Sequence, residues 1–220
     1  MARRLAVRFG MLALHGREAV AMSENEKRET HPAVFILALA LVGVALALLA
    51  MFLLFPIQFR ENRLYLTQDR TSLDFRFDTL SQDWTEADLR RRFEGKPIIC
   101  YSNQQTGGLG DKVCNVDIGS HNGTRAMGAA FFFAEGKLAN ARVTVPWWVH
   151  DGMLQTTLRL YGSPSAAQPR RVEGNRLLGW KLATGGGLFY NIDRSTNPLQ
   201  WSALYWQSER ACASRCFQES

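Results

Sequence analysis

The sequence predicts an α+β fold, with one N-terminal transmembrane helix followed by an exported domain of two repeats. Each repeat consists of a helix and several antiparallel strands. Three observations lead to this prediction: an uncharged apolar run at residues 33–55, four cysteines that all follow it, and a Gly-x-Pro break that occurs at Gly95 and again at Gly162. A chain of 220 residues is long enough for one ordinary domain and these additions.

The apolar run has the length of a membrane anchor. Residues 33–55 contain no charged or polar side chain. As a helix they span about 34 Å, which exceeds a hydrocarbon core about 30 Å thick. A cleaved signal peptide is the main alternative, but its apolar core has about 7–15 residues and precedes a small-residue cleavage site. Phe55-Pro56 begins no such site. We therefore predict an uncleaved anchor over residues 32–57.

The flanking charges predict the orientation of this anchor. Lys and Arg are more frequent before the run than directly after it, which favours a cytoplasmic N-terminus. The basic residues compared are Arg3, Arg4, Arg8, Arg17, Lys27 and Arg28 before the run and Arg60, Arg63 and Arg70 after it. We predict a single-pass protein of the inner (cytoplasmic) membrane, with a cytoplasmic tail at 1–31 and a periplasmic or extracellular C-terminal domain. Residues 1–21 are a second basic stretch, and we expect translation to begin at Met22.

The net charge of +6 and the pI of about 9.4 would suit a nucleic-acid partner. The basic residues are, however, scattered among acids. The densest group, Arg90-Arg91-Arg92, lies on a predicted helix, where a solvated face is favoured over a phosphate site. The sequence therefore predicts no nucleic-acid partner.

The four cysteines predict disulfides in an oxidising compartment, because all of them follow the anchor. A turn signal at 106–111 separates Cys100 from Cys114, and a hairpin centred on Gly107 would place these two side chains opposite each other. Cys212 and Cys216 are one helical turn apart and can also bond, so the connectivity stays open. Cys-x3-Cys is not the redox spacing and no His lies nearby, so we predict neither a metal nor a cofactor.

The remaining patterns divide the exported part into a stalk at 58–82, which could instead hold a first strand, a first α+β unit at 83–146 and a second at 147–220. Helical patterns are expected at 81–93, where Asp83 or Thr85 can cap the start, and at 149–161. The predicted strands are 98–103, 112–118, 127–134 and 138–145 in the first unit, and 177–183, 187–193 and 200–208 in the second. Coincidence is the alternative to a true repeat, because Gly and Pro end many helices.

Three motifs carry a family resemblance. They are Asp88-Leu89-x3-Phe93-x-Gly95-x-Pro97, Phe132-Phe133-x2-Gly136-Lys137-Leu138 and Leu158-x2-Tyr161-Gly162-x-Pro164. With these motifs the chain resembles the BamE/SmpA-OmlA-like and β-lactamase-inhibitor-protein-like superfamily. The resemblance implies a layered α+β fold and a role in protein binding or envelope assembly. The chain departs from the pattern, since members of the assembly branch are typically lipoproteins, the inhibitor branch is secreted, and this chain has a membrane helix without a lipobox cysteine.

The strongest candidate for chemistry is His150-Asp151, beside Trp147-Trp148. This cluster can be read as a proton-transfer or ligand site, or as a loop that enters the second helix, and we favour the loop. The chain has no Gly-x-Ser-x-Gly, phosphate-loop or His-Glu-x-x-His motif. We therefore predict a non-catalytic protein.

Aromatic residues concentrate in the second unit and provide the candidate binding site, because Trp and Tyr are typical interface anchors. They are Trp147, Trp148, Trp180, Phe189, Tyr190, Trp201, Tyr205 and Trp206. The binding residues that we predict are Trp147, Trp148, His150, Trp201 and Trp206. The predicted function is a membrane-anchored module that binds an envelope protein. The alternatives are a small-ligand or lipid sensor and an enzyme that uses His150 and Asp151. A polar pocket would favour the alternatives, and an exposed aromatic patch on the sheet would favour protein binding.

Overall fold

The computed structural model describes residues 32–102, 108–165, 170–172 and 175–212. The chain forms two compact units, one that ends at Leu54 and one that begins at Phe55. Each unit is described by itself, and the second is called the α+β unit.

The first unit contains helix α1, Pro32–Leu54. It is the only helix in the described part of the chain that is long and apolar enough to cross a membrane. Almost every residue of α1 is exposed, and its surface has no polar stripe that would mark a buried helix of a soluble protein. The prediction of a single apolar N-terminal helix is confirmed.

The α+β unit contains four helices and ten strands within its described residues. The helices are α2 Pro56–Thr67, α3 Glu86–Arg92, α4 His150–Tyr161 and α5 Glu209–Cys212. The strands are β1 Thr71–Ser72, β2 Ile99–Ser102, β3 Lys112–His121, β4 Thr124–Arg125, β5 Gly128–Ala134, β6 Lys137–Val145, β7 Arg170–Val172, β8 Asn175–Lys181, β9 Gly187–Asn191 and β10 Ser202–Gln207. Two short 3-10 helices, Phe77–Thr79 and Trp147–Val149, complete the described elements. The α+β class is confirmed.

The strands form one mixed sheet in the order β1-β3-β5-β6-β10-β9-β8-β7, and β2 and β4 also pair with β3. All pairs are antiparallel except β1 with β3. Each of the seven predicted strands has a counterpart in this sheet. The strands that end the two predicted units, β6 and β10, pair in the middle of the sheet. The repeat itself stays a prediction.

Helices α3 and α4 contribute to the same core beside the sheet. Leu89 and Phe93 of the α3 segment and Met153 of α4 are buried in it together with Phe131 of β5. Helix α3 begins with a capping box, because Thr85 Oγ1 accepts from the Asp88 backbone N–H and Asp88 accepts from the Thr85 backbone N–H. Of the two predicted caps, the structure therefore uses Thr85.

Residues 58–82, which we expected to form a stalk, belong to the α+β unit. Leu73, Phe75 and Phe77 are buried in the main core. Tyr65 of α2 is also buried, and its hydroxyl donates to the Gly119 carbonyl. The segment also contains β1, which agrees with the alternative of a first strand, and polar residues alternate with the buried apolar ones along it.

The disulfide between Cys100 and Cys114 is present, as predicted. The two residues are direct partners in the β2–β3 register, and their Cα atoms are 4.0 Å apart. Cys212 is also disulfide-bonded. Cys216 and the turn around Gly107 lie outside the described residues.

Candidate functional site

The sheet has two faces with different surroundings, because successive residues of a strand point to opposite sides. In β5, Phe131 and Phe133 join the main core with the helices, whereas Ala130 and Phe132 belong to a separate small cluster with Val113. We call the side with Phe131 the helix-side face and the side with Phe132 the outer face. The outer face is the candidate functional site.

Two adjacent rows of directly paired residues define the outer face. The first row is Ile99, Asn115, Ala130, Arg142, Tyr205, Phe189 and Gly179. The second row is Tyr101, Val113, Phe132, Asn140, Gln207, Gly187 and Lys181. Direct partners lie on the same side of a sheet, so both rows face outward together. They cross seven strands and form one continuous surface.

Large apolar side chains are exposed on this surface. Ile99 is 68% exposed, Tyr101 46% and Tyr205 36%. Phe132 of β5 lies between β2 and β10, Phe189 of β9 lies beyond Tyr205, and both phenylalanines are nearly buried. An exposed aromatic patch on a sheet is typical of a surface that binds another protein.

Arg142 lies near the middle of the patch. Its guanidinium lies over the Phe132 ring, 5.7 Å from the centroid. It forms no ion pair with a described residue, and its buried Nε has no hydrogen-bond partner among them. Asn140 Nδ2 donates to the Leu109 carbonyl at 2.7 Å, but Asn140 Oδ1 likewise has no partner in the described part of the chain. Both of these polar atoms are buried, so the outer face contains a charged donor and an amide acceptor that have no hydrogen-bond partner among the described residues.

Of the five binding residues predicted from sequence, His150 is fully buried. Its Nε2 lies 3.2 Å from the Ile192 carbonyl, which can only accept, so Nε2 carries the proton and Nδ1 accepts from Ser202 Oγ at 2.7 Å. The Tyr190 hydroxyl donates to the His150 carbonyl at 2.9 Å, and burial raises the pKa of Tyr190. These bonds connect α4 to strands β9 and β10.

Asp151 does not join His150 in these hydrogen bonds. It forms an ion pair with Arg194, whose guanidinium also lies 4.8 Å from the centroid of Trp147. Trp147 is half-buried and donates from its indole to the Ser195 carbonyl. Trp147–Val149 form a 3-10 helix, and His150 and Asp151 are the first two residues of α4.

The other predicted tryptophans have different surroundings. Trp148 is 44% exposed, Trp201 is half-buried, and Trp206 is buried in the main core on the helix-side face. The prediction that these residues bind a partner stays a prediction.

Sequence reasoning did not select Ile99, Tyr101 and Arg142. The available signal was the alternation of apolar and polar residues at 98–103 and 138–145, which indicates half-buried strands but not which side a helix covers.

No protein-family model matches the chain, and no curated protein or solved structure is significantly similar to it. The resemblance to the BamE/SmpA-OmlA-like superfamily therefore stays a prediction.

Proposed function

We propose that this protein is a single-pass, membrane-anchored module that binds another protein of the cell envelope through the outer face of its sheet. The observation that carries the proposal is the outer face itself, which exposes Ile99 and Tyr101 on β2 and Tyr205 on β10, with Arg142 of β6 between these strands. Tyr and Arg are enriched at the centres of protein interfaces because they combine apolar contact area with hydrogen-bond donors.

The anchor in this proposal is α1, with the N-terminus in the cytoplasm and the α+β unit in the periplasm or outside the cell. Two features support this topology. Basic residues are more frequent before α1 than directly after it. The Cys100–Cys114 disulfide also fits an oxidising compartment on the far side of the membrane.

The polar groups of the outer face indicate the chemistry of the partner. Arg142 is half-buried and has no ion-pair partner among the described residues, and the amide oxygen of Asn140 on the same face is buried. A partner that presents a carboxylate or main-chain carbonyls to Arg142 and apolar side chains to Tyr101 and Tyr205 would satisfy both parts of the surface.

We further propose that the α+β unit is built from two related halves. In support of this, α3 and α4 are each followed by a glycine with a positive φ, 75° at Gly95 and 76° at Gly162, and then by antiparallel strands. Pairing of β6 with β10 joins the two sets of strands into one sheet. Such a junction gives the outer face a width that neither half has alone.

The test is site-specific photo-crosslinking of the full chain in its native membrane. A photoreactive residue replaces Tyr205 on the outer face, and in the matched control it replaces Gln155, which is exposed on α4. We expect a discrete protein adduct from position 205 and none from position 155. Equal labelling from both positions, or no adduct from position 205, would contradict the proposal.

A further inference from the structure

A cleft with a volume of about 670 Å³ lies between the β3–β4 turn and helix α4. Residues 122–125 form one wall, and Gly152, Thr156 and Arg159 of α4 contribute to the other. None of these residues belongs to the rows of the outer face, so the cleft is independent of the proposed protein-binding surface.

The charged side chains that line the cleft are all positive. Arg125 and Arg159 both line it and both are exposed, whereas none of its eight lining residues is Asp or Glu. Neither arginine forms an ion pair with a described residue. Two exposed arginines that line one open depression, without an ion-pair partner among the described residues, attract an anion from solution.

The acidic groups closest in the chain are already engaged. Asp74 accepts from the backbone N–H of Asn122 at 2.6 Å, outside the lining. Asp151 precedes Gly152 but forms its ion pair with Arg194. Asp74 thus lies beside the cleft, and among the described ion pairs neither carboxylate is bonded to Arg125 or Arg159.

The walls also offer hydroxyl groups and open space. Thr124 Oγ1 and Thr156 Oγ1 are 2.8 Å apart and hydrogen-bonded, and Arg159 Nη2 reaches Thr156 Oγ1 only at 3.5 Å. Because that bond is long, the Arg159 guanidinium remains available to a ligand. At Gly152 a Cβ atom would meet no other atom within 4 Å. Gly152 lies in the first turn of α4, where the helix dipole also favours an anion.

We propose that this cleft binds a phosphate group, held by the guanidinium groups of Arg125 and Arg159 and by the hydroxyls of Thr124 and Thr156. Arginine pairs bind phosphate oxygens through charge-assisted hydrogen bonds. The group belongs either to an anionic lipid headgroup or to a small water-soluble phosphate compound.

Calorimetric titration of the full chain in a non-ionic detergent tests the proposal. One arm adds inorganic phosphate, and a second adds mixed micelles that contain short-chain phosphatidic acid, with phosphatidylcholine as the neutral comparison. We expect Arg125→Gln and Arg159→Gln each to weaken binding about tenfold, the loss expected for one charge-assisted hydrogen bond. Arg91→Gln on α3 removes the same charge outside the cleft and is expected to change binding little.

Gly152 provides a second pair of variants that leaves both arginines in place. Gly152→Glu adds a carboxylate to the cleft and is expected to abolish binding. Gly152→Ala occupies open space in a helix and is expected to bind like the wild type.

Binding to phosphatidic acid alone assigns a lipid headgroup, and binding to inorganic phosphate as well assigns a soluble compound. The proposal is overturned if neither probe binds the wild type, or if Arg91→Gln weakens binding as much as the cleft variants.

Discussion

The two faces of the sheet use neighbouring residues of the same strands in opposite ways. On the helix-side face, one row of direct partners is buried or packed against the core along its whole length. This row is Cys100, Cys114, Phe131, Ala141, Trp206, Leu188 and Trp180. On the outer face, the rows on either side of it expose aromatic side chains and contain polar atoms of Arg142 and Asn140 that have no hydrogen-bond partner among the described residues. The helix-side face accounts for stability, and the outer face is where we locate binding.

The sharpest test of this difference replaces one aromatic residue on each face. Phe131 is fully buried and lies 5.5 Å from Phe93 between ring centroids, so Phe131→Ala leaves a cavity. We expect it to lower the free energy of unfolding by about 3–5 kcal/mol, and Tyr205→Ala to lower it by less than about 1 kcal/mol. Urea unfolding of the full chain in mild detergent, followed by tryptophan fluorescence, measures both. Similar losses for the two variants would contradict the division of roles.

The disulfide stabilises the helix-side row at its edge. Cys100 and Cys114 are 14 residues apart in the chain. In the chain-entropy model, a loop of this size contributes about 3 kcal/mol. The double variant Cys100→Ser and Cys114→Ser is therefore expected to unfold at a lower urea concentration than the wild type. A reductant is expected to destabilise the wild type by breaking the Cys100–Cys114 bond, which the variant lacks. An unchanged midpoint in the double variant would contradict this expectation.

A buried histidine makes the same core sensitive to pH. Burial lowers the pKa of His121 below its ordinary value of 6.5, against smaller raising effects from its bond to the Leu73 carbonyl and from Asp74. His121 therefore binds a proton more strongly in the unfolded state than in the folded state. The contribution of neutral His121 to the stability of the folded state is present above about pH 6.5 and is lost as the pH falls through its folded-state pKa. We expect His121 to titrate below about pH 6.5 by NMR. A higher pKa would contradict the assignment.

Much of the fold was predictable from sequence because its signals are local. Twenty-three apolar residues define α1, and alternation together with turn residues defines the principal strands. Burial of Leu73 and Phe75 was not predictable in this way, because their segment reaches the core only through pairing of β1 with β3, which lie far apart in the chain. Local periodicity contains no information about such a partner.

The candidate site was less predictable for a related reason. The concentration of tryptophans in the second half pointed to Trp206 and His150, which are buried, because composition does not distinguish core aromatics from surface ones. The outer face depends on the register of seven strands and on both helices packing on the other side. A row that joins Ile99 to Phe189 exists only after those pairings are made.

Substitution of Arg142 is expected to have the smallest effect on stability and the largest effect on binding. Its guanidinium contacts the Phe132 ring but forms no ion pair with a described residue, so Arg142→Gln is expected to change the free energy of unfolding by less than about 1 kcal/mol. The same variant is expected to reduce the adduct from a photoreactive residue at position 205 at least about tenfold, because it removes a charged donor from the centre of the patch. Arg142→Lys keeps the charge but loses the planar fork, so an intermediate adduct yield is expected. If Arg142→Gln destabilised the fold strongly and left the adduct unchanged, Arg142 would be part of the packing and the outer face would lose its proposed role.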